Sequence, residues 1–140
     1  MNSTKNEEQA VAKKARILII DKDPDFLGKL KAALETEGFE VITALTIQQG
    51  LDEIQYEQPD CVVTELMVEK HDSGFVFAKA VKANPLYRHI KIFIVSSAKE
   101  RTGFEFSQEK DGHWMKTDDY AEKPIEPEEV VARVKELLKN

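Results

Sequence analysis

Pro59-Asp60-Cys61-Val62-Val63-Thr64-Glu65 is the stretch that decides the fold, because apolar and β-branched residues run without polar alternation into a single acid. Such a run is typical of a strand that is buried on both faces of a sheet. In an open parallel sheet, ligands bind outside the carboxyl ends of the strands. The position of Glu65 directly after the run therefore makes it the first candidate for a functional residue.

Chemically active side chains follow three further predicted strands in the same way. They are Asp21-Lys22-Asp23 after Ile17–Ile20, Ser96-Ser97 after Ile92–Val95, and Lys123-Pro124 after Tyr120–Glu122. Because the carboxyl ends of parallel strands meet at one edge of a sheet, we expect these groups to converge on Glu65. Acids, hydroxyls and a lysine at one edge predict a pocket that handles phosphoryl groups.

Strand and helix patterns alternate five times along the chain. Strands are predicted at Arg16–Ile20, Phe39–Ala44, Cys61–Thr64, Lys91–Val95 and Tyr120–Glu122, and helical patterns follow all of them except the fourth. This alternation predicts an α/β fold, a doubly wound five-stranded parallel sheet with helices on both faces. The connection Ala98–Asp119 lacks a clean apolar period, so we predict a long and partly irregular segment there. Its aromatic residues serve either local packing or an exposed partner site.

Composition limits the classes of protein to consider. A chain of 140 residues with 41% hydrophobic residues suits one domain with a core, and a net charge of −6 argues against a nucleic-acid-binding face. No apolar run is long enough for a membrane span, and the single cysteine, Cys61, excludes a disulfide framework. We therefore expect a cytoplasmic protein. Residues 1–14 are predicted to be a disordered or frayed tail, and 15–140 a single domain with no output domain after it.

Five segments, taken in order, resemble the receiver domain of two-component response regulators. They are RILIIDKDPD (16–25), PDCVVTELM (59–67), DSGF (72–75), IVSSA (94–98) and DDYAEKP (118–124). The resemblance extends over residues 16–139 and implies the flavodoxin-like receiver fold. Members of this family accept a phosphoryl group from a histidine kinase onto an aspartate, with Mg²⁺ bound.

The resemblance assigns roles to single residues. The phosphoacceptor position falls on Glu65, and the two metal-binding acids fall on Asp21 and Lys22. The phosphoryl pocket would include Ser97, Lys123 and Lys22, and the switch pair would be Ser97 and Tyr120. The candidate metal ligands are Asp21, Asp23, Glu65 and the backbone carbonyl of Met67. Glu69 stands where the family usually has proline, and Ser73 lengthens the loop that follows the acceptor position.

Two of these differences act against phosphorylation. Glu65 moves the carboxylate outward by about one bond length, ~1.5 Å, and a displacement of about 1 Å can lower a rate ~10²-fold. Lys22 places a cation where the family has a metal-binding acid, so any Mg²⁺ site is weakened. Our interpretation is a degenerate, stand-alone pseudo-receiver that is not an enzyme. We also hypothesise that Glu65, Lys22 and Lys123 form a metal-free charge cluster.

Other functions stay open at this point. The first is a single-domain response regulator that can still be phosphorylated. A remote second is a haloacid-dehalogenase-like phosphatase using Asp21-Lys22-Asp23, but Asp25 stands where that family has threonine or valine. A flavin-binding module is disfavoured because the acidic turn would repel a phosphate. The expected partner is a histidine kinase or another signalling protein, without nucleic acid or membrane, and a homodimer is also open.

Ordinary structural roles also stay open for several of these side chains. Asp23 can supply a metal ligand or cap a helix, and Lys22 can face solvent. Ser97 can form a local hydrogen bond, and Tyr120 can be half-buried packing. Three scattered histidines lack metal-ligand spacing and are expected on the surface: His71, His89 and His113.

Overall fold

A single parallel sheet forms the centre of the computed structural model, which describes residues 14–139. Its strands are β1 (Arg16–Ile20), β2 (Glu40–Ala44), β3 (Cys61–Thr64), β4 (Lys91–Ser96) and β5 (Asp119–Glu122). The strand order is β2-β1-β3-β4-β5, and every neighbouring pair is parallel. The predicted fold is therefore confirmed. The prediction of a disordered or frayed tail concerns residues that, apart from Lys14, lie outside the described residues.

Helices cover both faces of the sheet. They are α1 (Pro24–Thr36), α2 (Ile47–Glu57), α3 (Ser73–Ala83), α4 (Ala98–Thr102), α5 (Gln108–Met115) and α6 (Pro127–Leu138). Within residues 14–139, no helix is long and apolar enough to cross a membrane. The strand side chains alternate between two hydrophobic clusters, so that Ile17 and Ile19 face α1 and α6 while Leu18 and Ile20 face α2 and α3. This two-sided burial explains the continuous apolar runs.

The segment predicted to be partly irregular contains two short helices. α4 is followed by Gly103, which adopts φ +80°, and α5 begins after Ser107, whose hydroxyl accepts a hydrogen bond from the Lys110 N–H. The prediction of a long, partly irregular connection at Ala98–Asp119 holds for residues 103–107 and 116–118, but it did not include the two helices. With five and eight residues, the helices are too short to establish an apolar period. Only Gly112 and Met115 of α5 are buried.

Candidate functional site

The carboxyl ends of β1, β3 and β5 bring three charged side chains together. The Lys123 ammonium lies 2.9 Å from Oδ2 of Asp21 and 3.2 Å from Oε1 of Glu65. Only 3% of Asp21 and 6% of Glu65 is exposed to solvent. The Lys123 ammonium also lies over the Phe26 ring. We call Asp21, Glu65 and Lys123 the charge cluster.

Both oxygens of the Glu65 carboxylate are engaged. Oε1 faces Lys123, and Oε2 accepts hydrogen bonds from the backbone N–H groups of Met67, at 2.9 Å, and Ser97, at 3.1 Å. A buried carboxylate is stable only when such donors replace the water it has lost. The side chain is therefore held by the loop after β3, by the end of β4 and by the lysine after β5.

Burial and charge act in opposite directions on the other two members of the cluster. The pKa of Asp21 is raised, mainly by burial, although the Asp23 N–H and the Lys123 ammonium lower it. Burial lowers the pKa of Lys123, but the combined effect of the neighbouring Asp21 and Glu65 carboxylates is larger and raises it. The pKa of Lys123 therefore lies above its ordinary value. Lys123 is thus protonated at neutral pH. The stability that its charge contributes is lost only as the pH rises through this raised pKa.

Lys22 is not part of the charge cluster. Its side chain is exposed, and it forms no ion pair with the residues that the structure describes. The hypothesis of a cluster of Glu65, Lys22 and Lys123 is corrected here, because Asp21 occupies the place given to Lys22. Asp23 is also exposed, and its side chain caps α1 by accepting from the backbone N–H groups of Asp25 and Phe26. The three histidines are exposed, as expected.

The residues at this edge do not fit a Mg²⁺ site. Mg²⁺ requires oxygen ligands in near-octahedral geometry, and it binds carboxylates that are free to approach it. Here the Lys123 ammonium binds both buried carboxylates, and the carboxylate of Asp23 is used to cap α1. Among residues 14–139, no group of three or more His, Cys, Asp or Glu side chains is arranged to hold a metal ion.

Tyr120 lies inside the protein. Only 4% of the residue is exposed, its ring packs edge-on against Phe106 at a centroid distance of 6.0 Å, and its hydroxyl donates to Oε1 of Glu122 at 2.7 Å. Ser97, its predicted switch partner, contributes its backbone N–H to Glu65, and its hydroxyl does not cap α4. The structure therefore brings Ser97 to the charge cluster and Tyr120 to Glu122.

We expect Tyr120→Phe to flatten the loss of stability at alkaline pH. The pKa of the Tyr120 hydroxyl is raised above 10.0, first by burial; a hydrogen bond with Ser96 lowers it, and the hydrogen bond and negative charge of Glu122 raise it. The folded protein therefore keeps a proton that the unfolded chain releases, and stability falls as the pH rises above about 10. Urea unfolding above this pH should show a shallower fall for Tyr120→Phe than for wild type. Tyr56→Phe, at a residue 74% exposed, is the control and should keep the wild-type slope.

The loop between β3 and α3 makes a contact with α2 that sequence reasoning missed. Both carboxylate oxygens of Glu69 accept from the N–H of Ile47, at 3.3 and 3.2 Å, and so bind the first residue of α2. The Ser73 hydroxyl accepts from the Lys70 N–H at 2.8 Å and donates to the Lys70 carbonyl. These contacts hold the loop between β3 and α3. No sequence signal could pair Glu69 with Ile47, because their contact depends on the folded arrangement of two separate segments.

Gly74→Ala should destabilise the protein by about 1–3 kcal/mol, the usual cost of overpacking. A Cβ at this position would lie 2.9 Å from the Cα of Leu66 and 3.0 Å from the carbonyl oxygen of Glu65, so the backbone would have to move. Urea unfolding measures the effect. Gly28→Ala in α1 is the control, because its Cβ would meet no atom within 4 Å and alanine favours a helix. Equal effects of the two substitutions would contradict the prediction.

Four aromatic side chains cluster beside Tyr120, where α3 meets the segment from α4 to α5. Phe75, Phe106 and Trp114 pack edge to face with centroid distances of 5.2 to 5.9 Å, and Phe104 stacks on Phe106 at 6.3 Å. We call Phe75, Phe104, Phe106 and Trp114 the aromatic patch. Phe104 is 69% exposed and Trp114 is 52% exposed. The rings pack together, as the interpretation of local packing expects. Two of them also reach the surface, so a partner site there stays a prediction.

Comparisons with known proteins point to one family. Residues 17–135 match the family described as the response regulator receiver domain. The alkaline phosphatase synthesis transcriptional regulatory protein PhoP of Bacillus subtilis is 33% identical over 124 residues, which cover 89% of this chain and 48% of that protein. The chain thus spans about half the length of this and similar curated relatives.

Solved structures of the same kind also superimpose on the chain. The crystal structure of a CheY-like response regulator receiver domain protein from Methanospirillum hungatei has a TM-score of 0.71 and 28% identity, covering 91% of this chain and 95% of that one. Chemotaxis response regulator CheY4 of Vibrio cholerae has a TM-score of 0.75 and 23% identity, covering 89% and 99%, and shows the likeness in fold alone.

Proposed function

The chain belongs to the response regulator receiver domain family, and from this premise we propose that it is a receiver whose signalling state is set by Glu65 rather than by phosphorylation. The family match confirms the resemblance found in the sequence. Receiver domains are signalling modules of two-component systems. The finer part of the proposal is that the charge cluster replaces both the phosphoryl group and the metal ion.

One observation carries this proposal: the contacts of the Glu65 carboxylate. At the position that the resemblance assigns to the phosphoacceptor, it binds a lysine ammonium together with two backbone N–H groups, of Met67 and Ser97. A lysine and backbone amides are the donors that stabilise a phosphoryl group in phosphoryl-transfer sites. Because Glu65 already engages them, they are not free for an incoming phosphoryl oxygen.

The positive charge in the site comes from the protein itself. The Lys123 ammonium is within ion-pairing distance of both buried carboxylates, where a metal-dependent receiver would use Mg²⁺ to offset them. The cluster carries two carboxylates and one ammonium, and the N–H groups on Glu65 and Asp21 offset the remaining negative charge.

We propose that the domain acts through contact with another protein. Receiver domains interact with histidine kinases and other signalling proteins, and the candidate surface here is the aromatic patch together with α4. PhoP of Bacillus subtilis is named a transcriptional regulatory protein. In this chain, the net charge of −6 does not favour a nucleic-acid-binding face.

A Mg²⁺ titration tests the proposed function. Isothermal titration calorimetry of wild type should show no saturable binding at millimolar Mg²⁺, because Lys123 occupies the position between the carboxylates. Glu65→Gln, which keeps the side-chain length and removes the charge, should give the same result. Saturable Mg²⁺ binding by wild type that Glu65→Gln abolishes would overturn the proposal.

A further inference from the structure

The start of α4 is held by side chains at three consecutive backbone N–H groups. The Ser97 N–H donates to Oε2 of Glu65 at 3.1 Å, the Ala98 N–H to the Ser96 hydroxyl at 2.9 Å, and the Lys99 N–H to Oε2 of Glu122 at 3.3 Å. The first N–H groups of a helix have no partner within the helix. The position of α4 is therefore fixed from outside, by the residue that follows β3 and by the last residues of β4 and β5.

Glu122 connects this helix start to Tyr120. Its Oε2 accepts from the Lys99 N–H, while its Oε1 accepts from the Tyr120 hydroxyl at 2.7 Å. Glu122 is half-buried, and Tyr120 is buried. A short hydrogen bond to a carboxylate is among the stronger ones in proteins. One carboxylate thus holds both the aromatic ring and the helix.

The Tyr120 ring also supports the aromatic patch. Phe106 packs against Tyr120, and Trp114 packs against Phe106 at a centroid distance of 5.9 Å. Phe106 is reached from the C-terminal end of α4 through only three residues, Gly103, Phe104 and Glu105. Movement of Tyr120 out of its site would leave a void beside Phe106, and it would remove one of the two hydrogen-bond donors that hold the Glu122 carboxylate.

We propose that Glu122 is the positioning residue that keeps Tyr120 buried and so holds the aromatic patch in its present arrangement. The hydroxyl of Ser97 has no part in this role, since it does not cap α4 and Ser97 acts through its backbone N–H. The inference rests on the proposed function, because it states how the state set at Glu65 is passed to a binding surface. The path runs from Glu65 through the first turn of α4 to Glu122, Tyr120 and Phe106.

Fluorine NMR of protein labelled with 3-fluorotyrosine tests this proposal directly. The chain has three tyrosines, so Tyr56 and Tyr87 serve as internal references for the Tyr120 resonance. Glu122→Ala should move the Tyr120 resonance towards the value of a solvent-exposed tyrosine and leave the two references unchanged. Hydrogen exchange of the Lys99 amide should become about tenfold faster, since its acceptor is lost.

Three further variants make the test specific. Glu122→Gln keeps one side-chain oxygen, so it should shift the Tyr120 resonance less than Glu122→Ala does. It should still cause a shift, because one acceptor oxygen cannot replace two. Glu100→Ala removes an exposed acid of the same short helix and should change neither readout. Ser97→Ala should also leave the Tyr120 resonance in place. Circular dichroism establishes that each variant is folded.

The possible outcomes separate this inference from the proposed function. An unshifted Tyr120 resonance in folded Glu122→Ala, or an equal shift in Ser97→Ala, would overturn the role of Glu122. Neither result depends on whether wild type binds Mg²⁺, which is the test of the charge cluster. Trp114, the single tryptophan, gives a second readout, and its emission should shift to longer wavelength in Glu122→Ala.

Discussion

Wild-type protein incubated with acetyl phosphate and Mg²⁺ should gain no phosphoryl adduct in intact-mass measurements, whereas Lys22→Asp/Glu65→Asp should be modified. We expect the initial rates to differ by at least about 10²-fold, the effect of misplacing a reacting group by ~1 Å. The double variant supplies both groups that this chain lacks relative to the receiver pattern: an acceptor of the shorter length and a second acid beside Asp21.

The expected gain follows from the contacts of Glu65. Its carboxylate reaches the N–H groups of Met67 and Ser97 because the side chain is one methylene longer than aspartate. An aspartate would withdraw from them by about one bond length, ~1.5 Å, and leave both donors and Lys123 able to bind phosphoryl oxygens. Lys22→Asp places an acid where the resemblance assigns the second metal-binding acid, and it removes a positive charge from the residue next to Asp21.

The single variants serve as controls for the double one. Glu65→Asp alone should be modified more slowly than the double variant, and Lys22→Asp alone should not be modified at all. A phosphoryl adduct on wild type would contradict the proposal, and mapping the modified residue would then come first. A folded double variant that gains no adduct would show that other residues also block transfer.

Lys123→Met should destabilise the folded protein by about 3 kcal/mol, equivalent to a fall in Tm of roughly 10 °C. Methionine retains much of the length of lysine, but it leaves two buried carboxylates without a cation. The ammonium contacts both Asp21 and Glu65 within 3.2 Å, and its side chain is only 11% exposed. Thermal unfolding at pH 7 measures the effect.

A matched control and a change of pH identify the cause of this loss. Lys99→Met removes a lysine that is 55% exposed and pairs with Glu105 on the surface, so it should cost less than about 0.5 kcal/mol. On acidification the effect of Lys123→Met should shrink, because a protonated carboxyl needs no cation. If Lys123→Met lowered the stability equally at pH 4 and pH 7, the loss would come from packing rather than from charge.

The sheet and the location of the site could be predicted because both depend on local patterns. The run from Cys61 to Thr64 is apolar because the strand is buried on both faces, and parallel strands bring their carboxyl ends to one edge. These rules predicted the convergence of Asp21, Glu65 and Lys123 at one edge, and the structure places them there.

Side-chain directions in turns could not be predicted in the same way. Lys22 and Asp21 are neighbours after β1, yet one side chain is exposed and the other is buried. Outside a strand, the alternation of period two no longer determines which way a residue points. The roles of Glu69 and Glu122 were missed for a related reason, because each carboxylate binds the N-terminus of a helix that is distant in sequence.

A carboxylate that is part of a side chain persists for as long as the protein does. An acyl phosphate in a receiver is hydrolysed, and its lifetime limits the duration of the signal. Glu65 is bound to Lys123 and to two backbone amides without any group that can be removed. Under the function proposed here, no hydrolysis step limits the duration of the signal. The output of the domain follows the rates at which the cell synthesises and degrades the chain.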